Sequence, residues 1–94
     1  MHLHFDRQGN PLEFEKWANL LEDDNYRVVE QTTLEDKTLV STIWTGIDNS
    51  INNSKQVFET VIFPPDGSTE MVGRWSSEEE ACVMHNQTLL KLKE

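Results

Sequence analysis

The side chains best placed to do chemistry are Cys82 and His85, in the run Cys82-Val83-Met84-His85. On a helix, residues three apart share a face, so this spacing sets a thiol beside an imidazole. One chemistry that follows is zinc binding. With His2 and His4 from the N-terminal segment, the pair would supply four nitrogen and sulfur ligands for a tetrahedral site. Structural zinc sites usually show several cysteines at tight spacing, however, and this chain has one. No metal or other cofactor is expected on that ground. A second chemistry is nucleophile and base. That requires a thiol that is partly exposed and lowered in pKa, whereas Cys82 falls on the helix face expected to turn inward. A third is paired carboxylates of the glycosidase type, from Asp48, Glu59 and Asp66. Among seventeen acids, chance pairs of carboxylates are expected. A small metal- or Cys/His-dependent enzyme is therefore an alternative reading, and no catalytic residue is assigned.

Recognition is the stronger expectation. Tyr26, Trp44 and Trp75 lie in or beside strand-like runs, where successive side chains alternate faces. One face of a sheet packs the helices; an aromatic on the other would be a candidate interface anchor, since Trp and Tyr dominate hot spots. The opposing reading is that all three are core. Acids cluster at Glu22-Asp23-Asp24, at Glu35-Asp36 and from Glu78 to Glu80. Asp23, Asp24, Glu35 and Asp36 fall in expected loops and are candidates for an acidic rim, joined by Asp48. The same clusters raise the alternative of a nucleic-acid mimic, although duplex DNA carries charge far more densely, at one per roughly 1.7 Å of axis.

Charge narrows the partner class. Seventeen acids against eight bases give a net charge of −9. That opposes direct nucleic-acid binding through phosphate neutralisation and adhesion to an anionic membrane. It favours a basic protein partner. No run approaches the roughly 20 apolar residues of a membrane span. Met1-His2-Leu3-His4-Phe5-Asp6 lacks the basic and apolar regions of a signal peptide. A cytoplasmic location is expected, and a single cysteine fits a reducing compartment.

At 94 residues the chain is read as one domain, 1–94. The run from 38 to 48, Thr-Leu-Val-Ser-Thr-Ile-Trp-Thr-Gly-Ile-Asp, has the β-branched and aromatic content of a central strand. Tyr26 to Thr33 and Val57 to Phe63 flank it as further strands. His2 to Phe5 alternates and is read as a short first strand, and Glu70 to Trp75 as a returning edge strand. Pro64-Pro65-Asp66-Gly67 marks a turn. A first helix is expected from Asn10 as N-cap and Pro11 as first residue, packing Phe14, Trp17, Ala18 and Leu21 and stopping near Leu21 or Glu22. A second opens at Ser76 or Ser77 in capping-box spacing with Glu79 or Glu80, with Cys82, His85, Leu89 and Leu92 on one face. Gly46 to Lys55, rich in Asn and Ser, is read as a mobile linker. The order β-α-β-β-β-β-α predicts an α+β domain, an antiparallel sheet of four to five strands with two helices on one face.

A pattern runs through these elements: Phe5-Asp6-x-x-Gly9-x-Pro11, Trp17, Tyr26-Arg27-Val28-Val29, Ser41-Thr42-Ile43-Trp44-x-Gly46-Ile47-Asp48, Phe58-Glu59-Thr60-x-Ile62-Phe63, and Arg74-Trp75-Ser76-x-Glu78-Glu79-x-Ala81-x-x-x-His85. It covers most of the chain and resembles small proteins of unassigned function encoded by bacteriophages and prophages. Those often carry His after the Asp of the Trp-x-Gly-x-Asp segment and Tyr at the later aromatic, where this chain has Asn49 and Trp75. The resemblance implies a phage or prophage accessory protein that binds a host or viral protein, with inhibition of a defence or regulatory function as the expected action. It brings no catalytic residues with it.

Overall fold

A computed structural model describes residues 4–48 and 55–94. In chain order the elements are α1 (Phe14–Leu21), α2 (Asp24–Arg27), β1 (Val28–Thr33), β2 (Leu39–Trp44), β3 (Phe58–Phe63), β4 (Glu70–Trp75) and α3 (Glu78–Leu92). The strands form one antiparallel sheet in the order β1-β2-β3-β4. This is the α+β meander that the alternating strand runs predict. Helix α3 lies across all four strands, while α2 touches β1 and β2 and α1 rests on α2.

The N-terminal third departs from expectation in detail. His4 and Phe5 make isolated bridges to Ile47 and Pro11 and do not join the sheet. The rest of the expected first strand, residues 1–3, lies outside the described residues, as does 49–54 of the expected mobile linker. Asn10 and Pro11 do not start the helix. The Asp6 carboxylate accepts the backbone N–H groups of Gln8 and Asn10 at 2.9 and 2.8 Å, and the Leu12 N–H donates to the His4 carbonyl at 2.8 Å. These bonds hold 4–12 as a closed loop, so α1 begins three residues late, with Glu13 as an N-cap that makes no side-chain bond. It ends at Leu21, where acids at the C-terminus oppose the helix dipole. Tyr26, expected to open a strand, instead lies within α2, a short helix capped by the Asp23 carboxylate on the Asn25 N–H.

Two helix faces are corrected. Phe14 is 63% exposed, with its ring beside those of His4 and Trp17. In α3 the buried residues are Ala81, His85 and Thr88, an i, i+4, i+7 stripe that keeps His85. Cys82 is half-buried and Leu92 is 40% exposed. Ser77 is the cap, accepting from the Glu80 N–H at 3.1 Å, while the Glu80 carboxylate accepts from the Ser76 N–H at 2.9 Å.

The core is Phe5, Trp44, Val57, Phe58 and Ala81, with Leu12, Trp17, Leu20, Leu21, Tyr26, Val29 and Trp75 packed around it. Two indoles pin the N-terminal segments to the sheet. Trp44 donates to the Phe5 carbonyl at 2.9 Å and Trp17 to the Thr45 carbonyl at 2.9 Å. Gly46 lies between them with φ +72°, and a Cβ there would come within 2.5 Å of Trp44 and 2.6 Å of Trp17. Gly9 also has positive φ, but nothing lies within 4 Å of the corresponding position. Gly9→Ala should therefore cost only the left-handed backbone penalty, about 1–2 kcal/mol. Gly46→Ala adds overpacking of roughly 1–3 kcal/mol to the same penalty. Denaturant midpoints of the two variants check this: equal shifts would mean that the two rings do not close on Gly46.

Candidate functional site

His85 is fully buried and lies at the end of a chain of polar side chains under the sheet. The Trp75 indole N–H donates to Thr60 Oγ1 at 3.0 Å. Thr60 Oγ1 lies 2.6 Å from Thr42 Oγ1, which lies 2.7 Å from His85 Nδ1. On the other side, His85 Nε2 faces Thr32 Oγ1 at 3.0 Å and Glu30 Oε2 at 3.4 Å. Donor chemistry gives the chain one direction. An indole N–H can only donate and an ionised carboxylate can only accept. A hydroxyl oxygen can accept twice, so Trp75 alone does not set the direction; the arrangement that gives each of these hydrogens an acceptor has Thr60 donating to Thr42 and Thr42 donating to Nδ1. Nε2 then carries the ring proton and points it at Thr32 and Glu30. His85 is thereby held neutral: burial lowers its pKa, and the Glu30 carboxylate opposes that in part. Every buried side-chain nitrogen and oxygen among the described residues has a partner.

This arrangement gives Cys82 no base from His85. Both imidazole nitrogens are engaged by hydroxyls and Glu30, with none turned to Cys82. Burial raises the Cys82 thiol pKa, and the Glu30 and Glu78 charges raise it further. That is the reverse of thiolate activation. Among the described residues, no group of three or more His, Cys, Asp or Glu side chains is placed to hold a metal ion; His2 lies outside them. The three carboxylates do not share a site either. Asp48 follows the Trp44 end of the sheet, Glu59 lies within β3, and Asp66 sits in the β3–β4 turn at the opposite end, held low in pKa by the Ser68 hydroxyl and N–H.

The aromatic candidates fall on the covered face. Trp44 is 0% exposed, so the condition for its acting as an anchor is not met. Tyr26 packs edge-to-face on it, with ring centres 4.9 Å apart, and its hydroxyl accepts the Arg7 N–H at 2.9 Å. Trp75 is half-buried and lies over Gly73. The structure brings Tyr26 and Trp44 together, but as core. The acidic candidates stand apart. Asp23 and Asp24 precede β1, and Glu35 and Asp36 follow it, a separation of roughly 20 Å for a six-residue strand. Three of them serve local structure: Asp23 caps α2, Asp24 pairs with Arg27 at 2.7 Å, and Asp36 accepts the Thr38 N–H at 2.9 Å, which lowers its pKa.

The surface that sequence reasoning missed is the other side of the sheet. Val40, Thr42 and Trp44 of β2 and Phe58, Thr60 and Ile62 of β3 are buried beneath the helices. Their neighbours point the opposite way: Leu39, Ser41 and Ile43 on β2, and Glu59, Val61 and Phe63 on β3, directly paired across the strands. Met71 and Arg74 continue the row on β4. Leu39, Ile43, Val61 and Phe63 are apolar, and Phe63 and Met71 are 41% and 46% exposed. Arg27 and Gln31 border the row. A solvated sheet face normally alternates to polar residues; this one does not. The sequence did hold a signal, since β2 is apolar in both phases of its alternation.

Compared with known proteins, the chain matches no family model, no curated sequence and no solved structure. Fold and surface together define its class: an α+β meander whose second sheet face is partly apolar and, among the described residues, uncovered by helix.

Two measurements check this account of the buried chain and of Cys82. Thr42→Val removes the link between Thr60 and Nδ1 while keeping the shape, leaving one donor and one acceptor unmatched. It should cost roughly 1–3 kcal/mol by chemical denaturation; a neutral Thr42→Val would mean the hydroxyl makes no such link. Cys82 in the folded protein should alkylate more slowly than a free cysteine at the same pH, and faster labelling would restore the nucleophile reading.

Proposed function

We propose that this chain is a non-enzymatic binding protein, a phage- or prophage-type accessory protein that docks a protein partner on the uncovered face of its sheet. One observation carries this reading. The outward positions of β2 and β3 are Leu39, Ile43, Val61 and Phe63 alongside Ser41 and Glu59, an apolar surface that no helix covers among the described residues. Such a patch, rimmed by polar groups, is characteristic of an interaction site. The groups that carry chemistry point the same way, since His85 is neutral and engaged and Cys82 is raised in pKa.

The partner we infer is a protein with an apolar patch and a net positive charge. The net charge of −9 steers such a protein at long range, and the apolar row supplies the contact. Because the acids stand at separate ends of β1, they act through the overall field and not as one contact patch. A docking face without a reactive group works by covering what it binds, so occlusion of a host defence or regulatory protein is the inferred action. The cytoplasm is the inferred location, where Cys82, which has no disulfide, stays reduced.

The test is capture from bacterial lysate with three baits: wild type, Val61→Asp on the sheet face, and Val83→Asp on the outer side of α3, where Val83 is 51% exposed. All three should melt alike. A protein held by wild type and Val83→Asp but lost with Val61→Asp supports the reading, and equal capture by all three would overturn it. With the partner purified, Glu22→Lys and Glu35→Lys together should slow association and weaken its salt dependence, because exposed charges steer encounter more than they hold the complex. An unchanged association rate would remove the electrostatic part.

A further inference from the structure

The buried polar chain has a use beyond holding the fold. It joins α3, through His85, to β1 (Glu30 and Thr32), β2 (Thr42), β3 (Thr60) and β4 (Trp75). At neutral pH each hydrogen in it has an acceptor. A second ring proton would enter at Nδ1, which already accepts from Thr42. Nδ1–H would then need Thr42 Oγ1 as its acceptor, and Thr42 and Thr60 share a single link between them. One of the two hydroxyl hydrogens would be left with no partner in a site closed to water. Reversing the chain does not absorb the proton: Thr60 Oγ1 then accepts from both Thr42 and Trp75, and its own hydrogen is the one left over.

We propose that the Trp75–Thr60–Thr42–His85 chain is a proton-operated lock, which holds α3 on the sheet at neutral pH and releases it when His85 takes up a proton. The surroundings of His85 support this. From β1 it meets one charged group, the half-exposed Glu30, which favours the proton. From β2 it meets the neutral Thr42, behind which the neutral Thr60 and Trp75 continue the chain on β3 and β4. On its own helix, Cys82 lies one turn earlier and stays protonated. The Arg7–Glu78 pair sits seven residues up α3, roughly 10 Å along the axis. Burial outweighs Glu30, so the folded pKa lies below the ordinary 6.5. The opened form therefore binds more protons than the closed form between that lowered pKa and 6.5. The lock is fully engaged above 6.5 and is lost as pH falls from 6.5 through the folded value. The two strands that carry Thr42 and Thr60 also carry Ile43 and Val61 on the opposite face, so release of α3 reaches the element that forms the uncovered surface.

The experiment is amide exchange of α3 as a function of pH, corrected for intrinsic exchange, together with imidazole nitrogen NMR of His85. In wild type the open population of α3 should rise by up to about tenfold per pH unit below 6.5, while carboxylates remain ionised. His85→Gln, which cannot titrate, should stay within about twofold over the same range. The imidazole should be neutral and Nε2-protonated at pH 7. Should His85→Gln fail to fold, Glu30→Gln tests the same point, since it removes the one charge that favours protonation and should lower the His85 pKa below the wild-type value. An Nδ1-protonated ring at pH 7, an α3 open population unchanged between pH 7 and about 5.5, or a Glu30→Gln protein with an unshifted His85 pKa would overturn the lock.

Discussion

Among the described residues, the helices that cover the sheet lie on one side of it, and the rest of the structure depends on that constraint. Helix α3 crosses the four strands on the face that holds Val40, Thr42, Trp44, Phe58, Thr60 and Ile62. The Phe5 loop and α2 fill the remaining space on the same side, locked by the indoles of Trp17 and Trp44. Burial of large aromatics supplies most of the driving force in a chain of which only 36% is hydrophobic. Nothing among the described residues remains to cover the far side, yet its residues are not those of a solvated face. A fold that leaves Leu39, Ile43, Val61 and Phe63 unpaired with helix exposes apolar surface that a partner can bury.

The covered face has a second peculiarity. Its middle is not apolar: Thr42, Thr60 and His85 sit there with the Trp75 indole. A buried polar chain costs little while every donor has an acceptor, and much once one is left over. It therefore sets the register between α3 and the sheet more sharply than apolar packing would, because a helix displaced along its axis breaks several bonds together. The residues in it come from three separate segments of the chain: Thr42 on β2, Thr60 on β3 and Trp75 to His85.

Much of the architecture was legible in the sequence. The period-two runs gave four strands, and the Ser77–Glu80 spacing marked the start of α3. The N-terminal loop was not legible, because Asn10 and Pro11 carry good helix-start chemistry that the Asp6 turn overrides through bonds invisible to local propensity. Phe14 shows the limit of periodicity, which says which residues share a face but not whether that face is covered. Trp44 and Trp75 posed the same problem: alternation separates two faces without saying which one the helices take. The uncovered face was written in β2, where both phases are apolar, and it became readable only once the helices were placed. The His85 chain joins residues up to 53 apart in sequence, a distance over which no spacing rule operates.

The most direct measurement of the central claim is covalent side-chain footprinting of the protein alone and in its purified complex. The account predicts that labelling of Phe63 and Met71 falls on complex formation, while Val83 and Leu90 on α3 label as before. Protection of Val83 and Leu90 with Phe63 and Met71 unchanged would contradict it, and would place the interface on the helical side of the molecule.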